Sequence, residues 1–235
     1  MGDDDAQPAA AVIFDLGGVV LNSPLAAIEA YEQRIGLERH TINAVIGRAG
    51  QEGAFARLER GELTIEQFPE PFALDCARIG APSIDGSAFM SLILDSCTPR
   101  PLMLEALGVL HEGDYKTAAL TNNFRSRASG DRFSSALTEL TPLFDVIVQS
   151  AEEGMRKPEP KIYELACKRL GVEPAACIFL DDIGRNLKPA KALGMRTIRV
   201  ETGDSTGARA LKALAEMLGV GVRTRLLERC LRMAK

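Results

Sequence analysis

Four groups of polar residues stand directly after short apolar runs of the sequence, or in the loop that follows one. They are Asp15 after residues 11–14, Thr121-Asn122-Asn123 after 117–120, Lys157 in the loop after 146–148, and Asp181-Asp182 after 177–180. These groups supply carboxylates, a hydroxyl, backbone amides and an ammonium. The set suits phosphoryl transfer, because a carboxylate nucleophile needs a nearby cation to approach an anionic phosphate, and the phosphate oxygens need fixed donors. Carboxylate oxygens also suit Mg²⁺.

Five apolar runs predict the strands that must position these residues: 11–14, 117–120, 146–148, 177–180 and 197–200. Their length and continuous apolar character are typical of fully buried strands. Helical patterns separate the later runs, namely 101–110, a helix with Pro160 in its first turn and Gly171 at its end, and 187–193 before Gly194. This alternation predicts an α/β fold with a Rossmann-like parallel sheet of five strands. Ligands bind beyond the carboxyl ends of such strands.

Residues 22–100 carry helix signals in place of buried-strand runs. The signals are an N-cap and first turn at Ser23-Pro24, a helical face of Ile28, Tyr31 and Ile35, a capping box at 64–67, and an apolar helix at 88–94. A helical insertion directly after the first strand predicts a cap over the carboxyl end of that strand.

The predicted domain boundaries follow from these patterns. Residues 1–10 form a disordered acidic arm, 11–21 and 101–220 the α/β core, 22–100 the helical cap, and 221–235 a basic C-terminal tail. For the tail, a helix packed on the core or a solvated end is favoured over a contact with an anionic surface or partner. The reason is that the tail is short and lacks Trp and Phe.

Composition excludes several classes of protein. The 28 Lys and Arg against 32 Asp and Glu give a net charge of −4, so the chain has no general attraction to nucleic acid. No apolar run reaches the length of a membrane span, and the acidic start lacks the features of a secretory signal. The five cysteines are widely spaced, which favours free thiols in a reducing, cytoplasmic compartment. The two histidines, His40 and His111, are interpreted as surface residues, and a Ser-His-Asp hydrolase is disfavoured.

Four motifs in this order resemble those of the haloacid dehalogenase (HAD) superfamily. They are Phe14-Asp15-Leu16-Gly17-Gly18-Val19-Val20, Leu120-Thr121-Asn122-Asn123, Lys157-Pro158-Glu159-Pro160 and Phe179-Leu180-Asp181-Asp182-Ile183-Gly184. The resemblance covers about residues 11–202. It is closer to the N-terminal phosphatase domain of soluble epoxide hydrolases and to the related domain of acyl-CoA dehydrogenase-family fusion proteins. It implies a HAD-like sheet with an inserted all-helical type-1 cap.

The resemblance also implies roles in phosphate chemistry. Asp15 would attack phosphorus and form an aspartyl-phosphate, and Lys157 would neutralise the nucleophile and the phosphate. The neighbouring Arg156 is interpreted as an ordinary surface residue. The phosphate would be bound by Leu16, Gly17, Thr121, Asn122 and Lys157.

A magnesium site is implied by the same resemblance. Asp15, the backbone carbonyl of Gly17 and Asp182 would bind Mg²⁺. Asp181 would orient Lys157 or a metal-bound water, and Asn186 would support the metal loop.

Gly17 departs from the pattern of the family's phosphatases. These usually carry a second Asp two residues after the nucleophile as general acid and base, a contribution of about 10²–10⁴-fold in rate. Two alternatives stay open. The protein is an enzyme that acts on substrates with good leaving groups, such as acyl phosphates or sugar 1-phosphates, or that uses another proton donor. Otherwise it is a slow or silent phosphate-binding module. A dehalogenase is less favoured, because the Tyr expected of true dehalogenases at this place is absent.

The sequence therefore predicts a Mg²⁺-dependent phosphatase of a small phosphorylated substrate, with no nucleic-acid partner and no membrane span. The identity of the substrate depends on the cap, whose loops vary freely. The oligomeric state is left open, with a homodimer as one alternative.

Overall fold

A single parallel sheet forms the centre of the computed structural model, which describes residues 7–82, 84–126 and 132–233. Its strands are β1 (Ala11–Phe14), β2 (Lys116–Thr121), β3 (Val146–Gln149), β4 (Cys177–Asp181) and β5 (Arg196–Arg199). The strand order is β3-β2-β1-β4-β5, so β1 lies at the centre, with Val12 beside Thr117 on β2 and Ile178 on β4. The predicted five-stranded parallel sheet is confirmed.

The described residues contain twelve α-helices. Those between β1 and β2 are α1 (Leu25–Arg34), α2 (Thr41–Ala49), α3 (Ala54–Glu59), α4 (Pro69–Arg78), α5 (Gly86–Asp95) and α6 (Pro101–His111). The later ones are α7 (Arg132–Leu140), α8 (Ser150–Glu153), α9 (Pro160–Leu170), α10 (Gly184–Ala192), α11 (Ala208–Glu216) and α12 (Val220–Met233).

Both faces of the sheet are covered by helices, as the continuous apolar strands require. Alternate side chains of β1 point to opposite faces, so Val12 and Phe14 belong to one hydrophobic cluster and Ala11 and Ile13 to the other. The first cluster includes residues of α6, α7, α11 and α12, and the second includes residues of α9 and α10. The result is a three-layer arrangement in which β1 and β4 are buried throughout, while the outer strands β3 and β5 are partly exposed.

Helices α1–α5, which we call the cap helices, have a hydrophobic cluster of their own. Phe68, Phe72 and Phe89 are buried at its centre, with the Phe68 and Phe72 ring centroids 4.8 Å apart. The described residues between 22 and 100, which exclude Ser83, form isolated bridges but no strand. Phe124, from the loop after β2, also packs against this cluster. The cap helices therefore contact the sheet domain partly through apolar side chains.

Three local expectations were wrong. The Ser23 hydroxyl accepts only a long 3.4 Å bond from the Leu25 N–H, and Pro24 precedes α1 because the helix begins at Leu25. Ile35 is 41% exposed, since α1 ends at Arg34 and the residue has left the buried face. Helix α10 begins at Gly184, earlier than residue 187, directly after the polar loop that follows β4.

The described residues include most of the C-terminal segment but not the first six residues. The expected acidic arm falls largely on residues 1–6, which lie outside the described residues. The basic C-terminal segment is helix α12, whose Val222 and Leu226 are buried in the cluster that includes α6. Among the described residues, every helix is too short or too polar to cross a bilayer.

Candidate active site

The carboxyl ends of the central strands bring three aspartates together. Asp15 follows β1 directly, Asp181 is the last residue of β4, and Asp182 is the next residue. Because β1 and β4 are hydrogen-bonded neighbours, one carboxylate oxygen from each aspartate lies within 4.8 Å of the others. The parallel register therefore creates a concentration of negative charge at one edge of the sheet.

The Lys157 side chain lies in the middle of this charge. Its Nζ is 2.8 Å from Asp15 Oδ1, 2.8 Å from Asp181 Oδ2, and donates to the Leu120 carbonyl at 2.8 Å. Only 1% of Lys157 is exposed. Burial lowers the pKa of Lys157, but the charges and hydrogen bonds of Asp15 and Asp181 outweigh it, so the net pKa is raised and the ammonium stays charged.

Asp15 is the aspartate that faces both the lysine and the cavity. Both of its contacts fall on Oδ1, which accepts the Leu16 N–H at 2.7 Å in addition to the Lys157 ion pair. Burial raises the pKa of Asp15 well above its usual range; Lys157 opposes this effect and the two other aspartates add to it. In the protein without a bound cation, this carboxylate is held at an electrostatic cost.

The residues that follow β4 hold the Asp181 carboxylate in place. Asn186 Nδ2 donates to both Asp181 oxygens at 3.1 Å, and the Ile183 N–H donates to Oδ1 at 2.8 Å. Asn186 is held in turn by the Tyr163 hydroxyl, which donates to its carbonyl at 2.8 Å. This buried network sets the position of Lys157 from the β4 side.

Asp182 lies against Gly18, which must be a glycine for two reasons. Gly18 has a φ of 80°, and a Cβ there would lie 2.1 Å from Asp182 Oδ2. Asp182 Oδ1 is buried and has no hydrogen-bond partner among the described residues. Burial and then Asp181 raise the pKa of Asp182 to about 6.

The groups expected to hold phosphate line the other side of the site. Thr121 ends β2, and Asn122 holds the backbone of Lys157 at two points: its Oδ1 accepts the Lys157 N–H at 2.9 Å, and its Nδ2 donates to the Lys157 carbonyl at 3.1 Å. Leu16 is fully buried, and its N–H is already bonded to Asp15. The structure therefore brings the predicted residues close together, and the Leu16 N–H helps to hold the Asp15 carboxylate in place.

A cavity of about 190 Å³ opens above these groups and extends into the cap helices. At its floor lie Asp15, Gly17, Thr121, Asn122, Lys157, Asp182 and Asn186. Its upper walls are mainly apolar and come from Leu25, Ile28, Ile46, Phe55, Phe89, Ile93, Leu94 and Phe124. A ligand could therefore place a charged group on the floor and an apolar group against the cap helices.

Arg156 corrects a prediction made from the sequence, and Glu59 is a residue that sequence patterns did not reveal. Arg156 is 4% exposed and forms an ion pair with Glu59 of α3, which is 7% exposed and also lines the cavity. The local sequence around Arg156 gave no sign that Arg156 is buried, because its partner Glu59 is nearly a hundred residues away in the sequence. Gly61, two residues after Glu59, was a local signal of a close backbone approach.

The donor set fits a hard divalent cation. Three carboxylates share the site with Lys157, and the buried Asp182 Oδ1 lacks a partner within the part of the chain that the structure describes. Buried carboxylates without compensating charge are unfavourable, and an oxygen-preferring ion such as Mg²⁺ would compensate them.

Comparison with known proteins supports the same interpretation of the site. The family model described as haloacid dehalogenase-like hydrolase matches residues 9–194. The chain belongs to the HAD-like hydrolases. It is 37% identical to mouse acyl-CoA dehydrogenase family member 10, over 89% of this chain and 19% of the mouse protein. It is 34% identical to pig bifunctional epoxide hydrolase 2, over 89% of this chain and 39% of the pig protein. The chain thus spans well under half the length of these two relatives.

Solved structures of HAD proteins share the fold. An HAD family enzyme from Bacteroides thetaiotaomicron, crystallised with magnesium and inorganic phosphate, superimposes with a TM-score of 0.60. It is 21% identical, and the match covers 83% of this chain and 96% of that enzyme. The HAD-like fold and the family resemblance found in the sequence are confirmed.

A Gly18→Ala variant tests the close approach of Gly18 to Asp182. We expect it to lose about 2 kcal/mol or more of unfolding free energy, because a Cβ at positive φ is strained and would overlap the Asp182 carboxylate. Urea denaturation measures the change. The matched control is Gly17→Ala, since a Cβ at Gly17 meets nothing within 4 Å. Equal stability of the two variants would contradict the close packing of Asp182 against Gly18.

A second test uses pH and Mg²⁺ together. The folded-state pKa of Asp182 is about 6, above its usual value of 3.8, so this group lowers the stability of the ion-free protein as pH rises through that window. A divalent cation at this site would bind the ionised form, so addition of Mg²⁺ should raise Tm more at about pH 7.5 than at about pH 5.

Asp182→Asn should abolish this Mg²⁺-dependent rise, while the exposed Asp114→Asn control should keep it. Differential scanning fluorimetry gives the readout. A rise of the same size at both pH values would argue against Mg²⁺ binding at Asp182.

Proposed function

We propose that this HAD-like hydrolase is a Mg²⁺-dependent phosphatase of small organic phosphates. One observation carries the proposal: a buried ammonium, Lys157, lies 2.8 Å from a carboxylate, Asp15, that also faces a cavity. A carboxylate can attack an anionic phosphate only where a fixed positive charge offsets the repulsion between them. Asp181 and the Leu120 carbonyl hold that charge in place.

The reaction would proceed in two displacements at phosphorus. Asp15 would attack through Oδ2, since Oδ1 is held by Lys157 and the Leu16 N–H. The bond from phosphorus to the leaving oxygen would break, its electron pair would leave with that oxygen, and the oxygen would take a proton from solvent. Water would then attack the phosphorus of the aspartyl-phosphate and lose a proton to solvent, the bond to Asp15 would break, and inorganic phosphate would be released.

The remaining residues would hold the phosphate and the cation. The Thr121 hydroxyl and the backbone of Asn122 lie at the floor of the cavity, where they can donate to phosphate oxygens. Asp15, the carbonyl of Gly17 and Asp182 would bind Mg²⁺, and Asn186 would keep the loop that carries Asp182 in place. When bound, the ion would neutralise charge on the phosphate oxygens.

Gly17 limits the leaving groups that such an enzyme can expel. A carboxylate at this position would protonate the leaving oxygen, and without it an oxygen that is stable as an anion is favoured. Gly17 borders the cavity, and a Cβ there would have open space around it. The same gap supports the second candidate, a phosphate-binding module with little turnover.

The cap helices favour a substrate with an apolar portion. The walls above the phosphate floor include Phe55 and Phe89, whose ring centroids are 6.2 Å apart, and Phe124, 5.7 Å from Phe55. Burial of apolar surface stabilises a complex by about 25 cal/mol per Å². Alkyl, acyl and aryl phosphates therefore fit these walls better than polyol phosphates of equal size.

A phosphate-release assay with Mg²⁺ tests the proposal. Wild-type protein should hydrolyse aryl and acyl phosphates faster than sugar phosphates of similar size, and Asp15→Asn should lose the activity, because the nucleophile is removed. Colorimetric phosphate detection and halide detection on 2-haloacids are run in parallel. Wild-type turnover no higher than that of Asp15→Asn would favour the binding module, and halide release without Mg²⁺ would indicate a dehalogenase.

Gly17→Asp tests the role of the missing carboxylate. The variant should raise kcat on alkyl phosphates, which have poor leaving groups, by about 10-fold or more, because general acid catalysis is worth about 10²–10⁴-fold where it is well placed. Aryl phosphates, whose leaving groups need little protonation, should gain much less. Gly17→Asn, similar in size but without an acidic proton, is the control. An equal change for both variants and both substrate types would count against a proton-transfer role at this position.

A further inference from the structure

The ion pair between Glu59 and Arg156 joins the cap helices to the loop of the site lysine. Glu59 is the last residue of α3, and Arg156 lies in the loop between α8 and α9. Both are more than nine-tenths buried. Two buried charges offset the energy lost on leaving water only while they stay paired, and removal of one leaves the other uncompensated. This pair therefore holds its two segments in a fixed relation.

The pair also lies beside the groups that hold Lys157. Arg156 directly precedes Lys157, whose backbone N–H and carbonyl are both bonded to the Asn122 side chain. Glu59, Asn122 and Lys157 line the same cavity. Burial is the largest effect on the pKa of Glu59 and leaves it raised, although the charge of Arg156 opposes this. A displacement of Glu59 would therefore reach Lys157 through Arg156, the residue directly before it.

The backbone around Glu59 is docked independently of its side chain. The Ser150 hydroxyl donates to the Glu59 carbonyl at 2.6 Å and accepts the Asn123 N–H at 2.9 Å. A Cβ on Gly61 would lie 2.2 Å from the Ala151 carbonyl oxygen, so the two backbones are in direct contact. A change confined to the Glu59 carboxylate should therefore leave α3 docked and affect what the carboxylate alone holds.

We propose that Glu59 is a positioning residue of the phosphate site. Through Arg156 it fixes the loop that carries Lys157, so Lys157 and Asn122 keep their places only while α3 is docked with its carboxylate paired. The effect on turnover rests on the phosphatase function proposed above, whereas the effect on the position of Lys157 does not. Assembly of the site is thereby coupled to docking of the cap helices.

The test compares Glu59→Gln with Glu62→Gln in the 235-residue chain. Glu62 lies three residues after Glu59 and forms exposed ion pairs with Arg57 and Arg60, so it is a matched control outside the site. Hydrogen exchange of the segment around Lys157, followed by mass spectrometry, reports the position of the loop without any substrate. In Glu59→Gln this exchange should become about 10-fold faster or more, because the Lys157 N–H is bonded to Asn122 in the intact site.

Kinetics provide the second readout. A misplacement of the lysine by about 1 Å costs up to about 100-fold in rate, so Glu59→Gln should lower kcat/KM by about 10- to 100-fold, mostly in kcat. Arg156→Gln should have the same effect, and the double variant should be no worse than the more affected single variant. Full additivity would contradict the coupling.

A merely structural pair would give a different result. In that case Glu59→Gln would lower Tm while exchange around Lys157 and kcat/KM stayed at the wild-type level, and the positioning role would be wrong. If Glu59→Gln does not fold, Arg156→Lys keeps the charge and loses the planar fork of donors, and it should still accelerate exchange around Lys157; unchanged exchange would overturn the proposal. If the wild-type protein shows no turnover but Glu59→Gln still accelerates exchange around Lys157, the positioning role is supported. Only the phosphatase function is then contradicted.

Discussion

The ammonium of Lys157 is the interaction on which the site depends. It is almost fully buried and contacts Asp15 and Asp181 at 2.8 Å each. Without these two carboxylates, burial would lower the pKa of Lys157, and without the lysine the aspartates would repel each other. Each neighbouring feature serves this arrangement: the Asn186 bonds that hold Asp181, and the Asn122 bonds that hold the lysine backbone.

The sheet topology explains why these charges can be brought together. Strand β1 lies between β2 and β4, so residues at the carboxyl ends of all three strands line one cavity. The strands are covered on both faces by helices, which leaves their carboxyl ends as the place where a ligand can enter. The cap helices close this place with an apolar cluster, and Phe124 of the sheet domain packs into it. The polar floor of the cavity thus comes from the sheet domain, and most of its apolar walls come from the cap helices.

Sequence patterns predicted the structure correctly where the signal was local. Short apolar runs predicted the five strands, because a strand buried on both faces needs apolar residues throughout. Pro160 in the first turn and Gly171 after the last residue correctly predicted α9. The same patterns failed where the partner is distant in sequence. Arg156 was interpreted as a surface residue, but Glu59 of α3 buries it. The role of Gly18 was also missed, since it depends on the approach of Asp182.

The sequence by itself determined the fold class, the family and the residue types of the site, because strand burial, helix ends and the spacing of four motifs are written in short stretches of the chain. The tertiary structure alone decided which oxygens and nitrogens meet. It placed Lys157 between two aspartates, left Asp182 Oδ1 without a partner among the described residues, and paired Glu59 with Arg156. The physical reason is that ion pairs and close backbone contacts depend on distance in space, and distance in space is fixed only when strands and helices from remote parts of the chain pack together.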